Sequence, residues 1–294
     1  MYTTLISAPE LQALLASQQP CRVFDCSFDL MQAGAGDQQY RQAHIPGALR
    51  ADLDRHLSAA PGAPDAASGG RHPLPSREAF AAWLGSTGLT PGMQAVVYDR
   101  QGANYCGRLW WMLKWLGHEA AAVLDGGLQA WQALDGAIAS APDDAPLNSD
   151  LLLDFKQKYP LDRAGTRLVT TNTIAEQLGG SRQCIVDARA APRFRGEVEP
   201  LDPVAGHIPG ALNRPFSLNF EANGKFKPAA VLRQEFEQLL GGRDPASVVH
   251  HCGSGVSAVP NVIAMEIAGL GRAGLYAGSW SEWCSDPARP VAQG

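Results

Sequence analysis

Nowhere in these 294 residues do 18 apolar residues run without interruption, so no membrane-spanning helix is expected. The opening Met1-Tyr2-Thr3-Thr4-Leu5-Ile6-Ser7 has no basic segment and no long apolar stretch before Pro9 and Glu10, and does not read as an export signal. Basic residues are few. Lys and Arg number 24 against 29 Asp and Glu, and the net charge of −5 argues against a sequence-independent grip on nucleic acid. Cysteine is also sparse: Cys21, Cys26, Cys106, Cys184, Cys252 and Cys284 form no C-x-x-C pair and do not suggest a disulfide framework. The expectation is a cytoplasmic protein with reduced thiols and neither nucleic acid nor membrane as partner. Hydrophobic residues at 45% and charged ones at 18% leave ample material for a packed core.

The chain repeats itself. Val23-Phe24-Asp25 recurs as Ile185-Val186-Asp187, and His44-Ile45-Pro46-Gly47-Ala48-Leu49 as His207-Ile208-Pro209-Gly210-Ala211-Leu212. Val96-Val97 then matches Val248-Val249, and Asp125-Gly126-Gly127-Leu128-Gln129-Ala130-Trp131 matches Ala277-Gly278-Ser279-Trp280-Ser281-Glu282-Trp283. The offset is 163 residues at the first histidine and 152 at the last tryptophan, so copy one carries a net insertion. The Gly-, Ala- and Pro-rich run from Pro61 to Gly70 accounts for most of it. Two homologous domains follow, over 1–140 and 166–294, with 141–165 as linker.

Each copy reads as α/β. Short apolar runs such as Ala95-Val96-Val97-Tyr98 and Ala121-Ala122-Val123-Leu124 suit buried parallel strands. Amphipathic stretches lie between them, as in Glu78-Ala79-Phe80-Ala81-Ala82-Trp83-Leu84, and Leu109 to Leu116 forms another. Such alternation implies a mostly parallel central sheet with helices on both faces, and ligands beyond the carboxyl ends of the strands.

In copy two, the run Ser247-Val248-Val249-His250-His251 leads into Cys252-Gly253-Ser254-Gly255-Val256-Ser257 and then a helical pattern from Ala258 to Met265. A strand, a glycine-containing turn and a helix start follow in order. Gly253 and Gly255 allow positive φ, so that successive backbone N–H groups can converge. The helix dipole adds positive potential, which favours the thiolate of a cysteine at the head of the loop. Pro260 fits the first helical turn. Copy one has Arg100 at the matching position, and an arginine is no nucleophile. A P-loop is excluded because no Lys follows the glycines. His250-His251-Cys252 is not a metal site by this reading, since strand neighbours face opposite ways and no further pair completes a ligand set. Both HIPGA histidines read as structural. The other five cysteines read as buried or incidental.

With the repeat, both HIPGA motifs and Cys252-Gly253-Ser254-Gly255-Val256-Ser257 in hand, the chain resembles the two-domain rhodanese-type sulfurtransferases over nearly its whole length. The resemblance implies two tandem rhodanese-like domains, the first inactive and the second forming a persulfide on Cys252, with no cofactor and no metal. It implies a small anionic sulfur donor and, as acceptor, cyanide, a small thiol or a protein thiol. Arg193 matches the arginine that holds the donor, and Arg189 a second one near the site, for which a structural ion pair is the rival reading. Gly253-Ser254-Gly255-Val256-Ser257 is similar to the mercaptopyruvate-preferring group, with Ser257 replacing Thr. That group also implies a relay of Ser254 with His72 and Asp54. A departure lies at Glu199-Pro200-Leu201, where such members carry a further arginine, so thiosulfate stays open as the donor. A persulfide-accepting binding module is the alternative from another class. A cysteine phosphatase is a weaker one, because an arginine would be needed where Ala258 stands.

Overall fold

The computed structural model describes residues 1–142, 147, 158–180 and 182–294. It divides into two compact units. The first comprises Met1–Ser58, Pro75–Gly165 and Glu221–Phe226; the second comprises Ala59–Leu74, Thr166–Phe220 and Lys227–Gly294. Most of the expected linker, residues 143–146 and 148–157, lies outside the described residues. Tyr159, near its end, is fastened to the first unit: its N–H donates to the Ala81 carbonyl at 3.1 Å, and its hydroxyl meets His118 Nδ1 at 2.6 Å.

In the first unit, strands β1 (Leu5–Ile6), β2 (Cys21–Asp25), β3 (Leu49–Arg50), β4 (Gln94–Tyr98) and β5 (Ala121–Leu124) form one sheet in the order β1-β5-β4-β2-β3. Every ladder pair is parallel. β4 and β5 are buried at every position, which is why they read as continuous apolar runs rather than alternating ones. Ser7 starts the helix Ala8–Ala16 by a reciprocal cap, its hydroxyl accepting from Glu10 N–H while the Glu10 carboxylate accepts from Ser7 N–H. The helix Cys106–Trp115 is buried all round, as a helix covered on every side must be.

The second unit repeats the plan with β6 (Cys184–Asp187), β7 (Leu212–Asn213), β8 (Val248–His251) and β9 (Gly274–Leu275), again all parallel, in the order β7-β6-β8-β9. From β6 the chain steps outward to β7; from β8 it steps the other way to β9. The reversal therefore falls between β6 and β8, and the loops leaving their carboxyl ends open onto the crevice where such sheets bind ligands. One loop carries Arg189 and Arg193, the other Cys252 to Ser257. After the second loop comes the helix Val259–Ile267, with Pro260 in its first turn.

The insertion of copy one, Pro61 to Gly70, falls within Ala59–Leu74 and so belongs to the second unit. Gly70 makes that possible. Its φ is +87°, and a Cβ there would stand 2.5 Å from the Gly278 carbonyl oxygen and 2.7 Å from Ser281 Oγ. Among the described residues no helix is long and apolar enough to cross a membrane.

Candidate active site

Cys252 heads the loop after β8 and is 2% exposed. Its carbonyl accepts from Trp280 N–H at 3.0 Å, and the Gly253 carbonyl from Ser281 N–H at 2.9 Å, so the loop is strapped to the segment that closes the repeat. Gly255 has φ +73° and approaches Ala277 so closely that a Cβ would lie 2.1 Å from the carbonyl oxygen. Gly253 does not use the positive φ open to it. A Cβ there would come within 3.1 Å of Arg71 Nη2, a tight approach to the end of a flexible side chain. Val256 and Ser254 are buried and Ser257 is half-buried.

A residue that sequence reasoning passed over holds Cys252 in place. Ser279 is fully buried with φ +56°, left-handed without being glycine. Its hydroxyl accepts from Cys252 N–H at 3.1 Å and donates to the Tyr276 carbonyl at 2.9 Å. At the matching position of copy one stands Gly127, with φ +59°. The signal was present in the repeat: a serine aligned with the second of two glycines.

The two copies of the loop differ in what their amides hold. In the first unit, Asp99 Oδ1 accepts from the N–H groups of Gln101 and Ala103, and Oδ2 from those of Tyr105 and Cys106, at 2.8–3.2 Å. Four amides thus converge on one carboxylate, an anion-binding nest satisfied from within. Copy two has His251 in place of Asp99. Among the described residues, the backbone N–H groups of Gly253, Ser254, Val256, Ser257 and Ala258 make no hydrogen bond. Such buried donors are suited to an incoming anion or to a sulfur anion at the head of the loop. In the first unit the Arg100 guanidinium donates to Asp25, Ser27 and the carbonyls of Gln39 and Ala43.

Charged groups fill the loop after β6. Arg193 donates through Nε and Nη2 to Glu199 at 3.2 and 2.6 Å, and through Nη2 to Asp202 at 3.3 Å. Its Nη1 lies 3.6 Å from where a Gly253 Cβ would be. The HIPGA histidine has a mechanical part here. The His207 ring stacks on Phe194 at 3.8 Å and its Nδ1 donates to the Phe194 carbonyl at 2.8 Å, pinning the short helix Ala191–Phe194 that presents Arg193. Arg189 is turned inward. It donates to Asp187, to Glu199 and to the Gly206 carbonyl, and lies over the Trp280 ring at 4.7 Å. Its geometry is that of a structural ion pair which also braces Glu199 behind Arg193.

Burial pushes the Glu199 carboxyl up, but hydrogen bonds from Arg193 and the Leu201 amide outweigh it and leave the group below the ordinary range. Asp202 goes the other way, raised by burial despite Arg71 and Arg193. Burial also drives His251 down, so it stands neutral beside Asp187, whose counterion is Arg189. His250 faces away from it, with Nε2 3.1 Å from Met265 Sδ. Burial pushes the thiols of Cys21, Cys26, Cys106, Cys184 and Cys284 up, which suits inert side chains.

Ser254 and His72 are brought together. Ser254 Oγ and His72 Nδ1 are 2.7 Å apart, and both residues are buried. The link depends on the segment Ala59–Leu74 joining the second unit. Asp54 belongs to the first unit, where it follows β3 and its N–H donates to Asp52 Oδ1 at 3.0 Å.

Comparison with known proteins agrees with this architecture. The profile of the Rhodanese-like domain matches twice, over residues 7–134 and 170–286. A probable 3-mercaptopyruvate sulfurtransferase of Pseudomonas aeruginosa is 44% identical over 293 residues, covering 99% of this chain and 98% of that protein. A putative thiosulfate sulfurtransferase of Mycobacterium tuberculosis is 38% identical, covering 99% and 97%. Among solved structures, 3-mercaptopyruvate sulfurtransferase from Leishmania major superposes with a TM-score of 0.80 at 30% identity, over 96% of this chain and 74% of that one.

Proposed function

Because the chain belongs to the family of Rhodanese-like domain proteins, with both of its halves matching, we propose that it is a sulfurtransferase that carries sulfur on Cys252. The Cys252 thiolate attacks the sulfur of an anionic donor, and the carbon–sulfur or sulfur–sulfur bond of the donor breaks. The persulfide rests among the loop amides until cyanide, a small thiol or a protein thiol takes its outer sulfur. No cofactor or metal takes part in these steps. Reduced thiols suit a cytoplasmic setting, and all six cysteines stand free.

Mercaptopyruvate is the favoured donor, and the Ser254–His72 contact carries that reading. When the carbon–sulfur bond of mercaptopyruvate breaks, the electron pair stays on carbon as an enolate, which needs a proton to become pyruvate. A hydroxyl bonded to an imidazole can deliver it. Thiosulfate releases sulfite, a stable anion that needs no such delivery. Asp54 as the third member of the relay rests on the sequence resemblance. Thiosulfate is the second reading, favoured by Leu201, which puts an uncharged side chain where a further cation would serve a carboxylate donor.

Cys252→Ser tests the assignment. Incubating the native chain with mercaptopyruvate should add roughly 32 Da, one sulfur atom, and the variant should show neither the gain nor turnover. Turnover retained by the serine variant would sink it. The ratio of kcat/KM for mercaptopyruvate and thiosulfate on one preparation then ranks the two donors.

A further inference from the structure

Ser281 bonds to the residue that precedes each member of the Ser254–His72 pair. Its N–H donates to the carbonyl of Gly253, the residue before Ser254, at 2.9 Å. Its hydroxyl accepts from the N–H of Arg71, the residue before His72, at 3.0 Å and donates to the Gly278 carbonyl at 3.3 Å. One residue of the segment that closes the repeat therefore touches both backbones that carry the 2.7 Å contact between Ser254 Oγ and His72 Nδ1.

The stretch from Ala59 to Leu74 is built to transmit such an anchor. It closes on itself: Ala59 N–H donates to the Pro73 carbonyl at 2.9 Å, Ala67 N–H to the Leu74 carbonyl at 2.7 Å and Leu74 N–H to Ser68 Oγ at 2.9 Å. Pro73 confines His72 to extended backbone, so the direction of the imidazole follows the Arg71 peptide. Gly70 lets that peptide come close, since a Cβ there would stand 2.7 Å from Ser281 Oγ. The Arg71 side chain adds a tie through Nη1 to Asp202 Oδ1 at 2.5 Å, but a long side chain fixes its own backbone less closely than a bond to the peptide N–H.

We propose that Ser281 is a positioning residue for proton delivery: its hydroxyl sets His72 against Ser254, while its N–H sets Ser254 by way of Gly253. The assignment rests on the sulfur-transfer reading with mercaptopyruvate as donor. There the carbon–sulfur bond breaks with its electron pair on carbon, the sulfur stays on Cys252, and the thiol proton of the donor reaches carbon through the pair.

Ser281→Ala removes the hydroxyl and keeps the N–H that holds Gly253, so it separates the two contacts. It is compared with Ser281→Thr, His72→Gln and the double variant of Ser281→Ala with His72→Gln. Three quantities are measured: kcat for mercaptopyruvate, the rate of Cys252 loading from thiosulfate followed by mass, and thermal unfolding. Ser281→Ala should lower kcat roughly tenfold, since a misplacement of about 1 Å at a reacting group costs roughly 100-fold. Loading from thiosulfate should change by less than about threefold. Ser281→Thr should keep most of the native kcat, and the double variant should be no slower than His72→Gln alone, because the hydroxyl acts through His72. Native kcat in folded Ser281→Ala overturns the inference. So does equal slowing with both donors, or slowing that multiplies with that of His72→Gln, either of which marks a general loosening of the loop. Should Ser281→Ala fail to fold, Ser281→Thr and Ser281→Val, alike in shape, read the hydroxyl alone, and equal kcat in those two overturns the inference. If the native chain loads from thiosulfate but never turns over mercaptopyruvate, this inference fails while sulfur transfer stands. If it loads from no donor, the functional reading itself falls.

Discussion

Replacing Ser279 by glycine and by alanine should reverse the usual order of those two residues. Ser279 is fully buried at φ +56°, and its hydroxyl links Cys252 N–H to the Tyr276 carbonyl. Both substitutions remove that hydroxyl and leave a buried donor and acceptor unpaired, a loss of about 1–3 kcal/mol for each group. They differ in the backbone. Alanine keeps a Cβ in the left-handed region, at about 1–2 kcal/mol, whereas glycine escapes that strain and loses about 0.5–1 kcal/mol through the freer unfolded chain. The difference leaves Ser279→Gly the milder variant by about 0.5–1 kcal/mol. In an ordinary helix start alanine would win by a similar margin.

The first unit supplies five of the seven tryptophans, so whole-chain fluorescence would blur the comparison. Hydrogen exchange of peptides covering β8, the Cys252 loop and residues 274–287 reads the second unit alone. Opening should be easier in both variants and easier still in Ser279→Ala. Sulfur loading should slow in both by a comparable factor of roughly ten, because each loses the same anchor on the Cys252 amide. An alanine variant as stable as the glycine one, or more so, refutes the strain argument; loading at the native rate in both refutes the anchor.

Two further outcomes follow from the buried histidines. Burial pushes His250 down to about 3, so the unfolded chain binds a proton below about pH 6.5 that the folded chain refuses. Its stabilising contribution is therefore complete above about pH 6.5 and is lost on acidification toward that folded value, by up to about 1.4 kcal/mol per pH unit. Urea midpoints for His250→Leu should depend on pH less steeply than the native ones between about pH 6.5 and 4.5, and equal slopes would dismiss this account. His72→Gln should slow mercaptopyruvate turnover by roughly 10²- to 10⁴-fold while changing loading from thiosulfate far less. Equal slowing with both donors would remove His72 from proton delivery.

What the sequence disclosed was whatever depends on local pattern. Ala121–Leu124 is a strand because a buried parallel strand has no polar face, and that shows in four letters. The Cys252 loop was legible because a strand, glycines and a helix start succeed one another within a few residues. Of the two loop glycines only Gly255 uses a positive φ, because sequence suggests that a glycine relieves either torsion or crowding, but not which. At Gly253 the crowding comes from Arg71, 182 residues earlier. Arg71 and Asp202 were invisible because each gains meaning only from a fold that brings residues 59–74 and 199–202 to one loop. His72 was reachable only by resemblance, although the insertion before it was plain from the repeat offsets.

The duplication gives two separate grounds for expecting copy one to be idle. Arg100 replaces the nucleophile, and that alone ends persulfide chemistry. Asp99 goes further, because four loop amides already close on its carboxylate. The same donors cannot serve an internal carboxylate and an external anion at full strength together. Putting a cysteine at position 100 would therefore create a thiol beside a satisfied nest, with the negative charge of Asp99 opposing its ionisation. In copy two the residue before the cysteine is His251, which burial keeps neutral, so neither the amides nor the local field are claimed in advance. On this proposal the residue before the cysteine decides whether the loop holds itself together or is left open for a substrate.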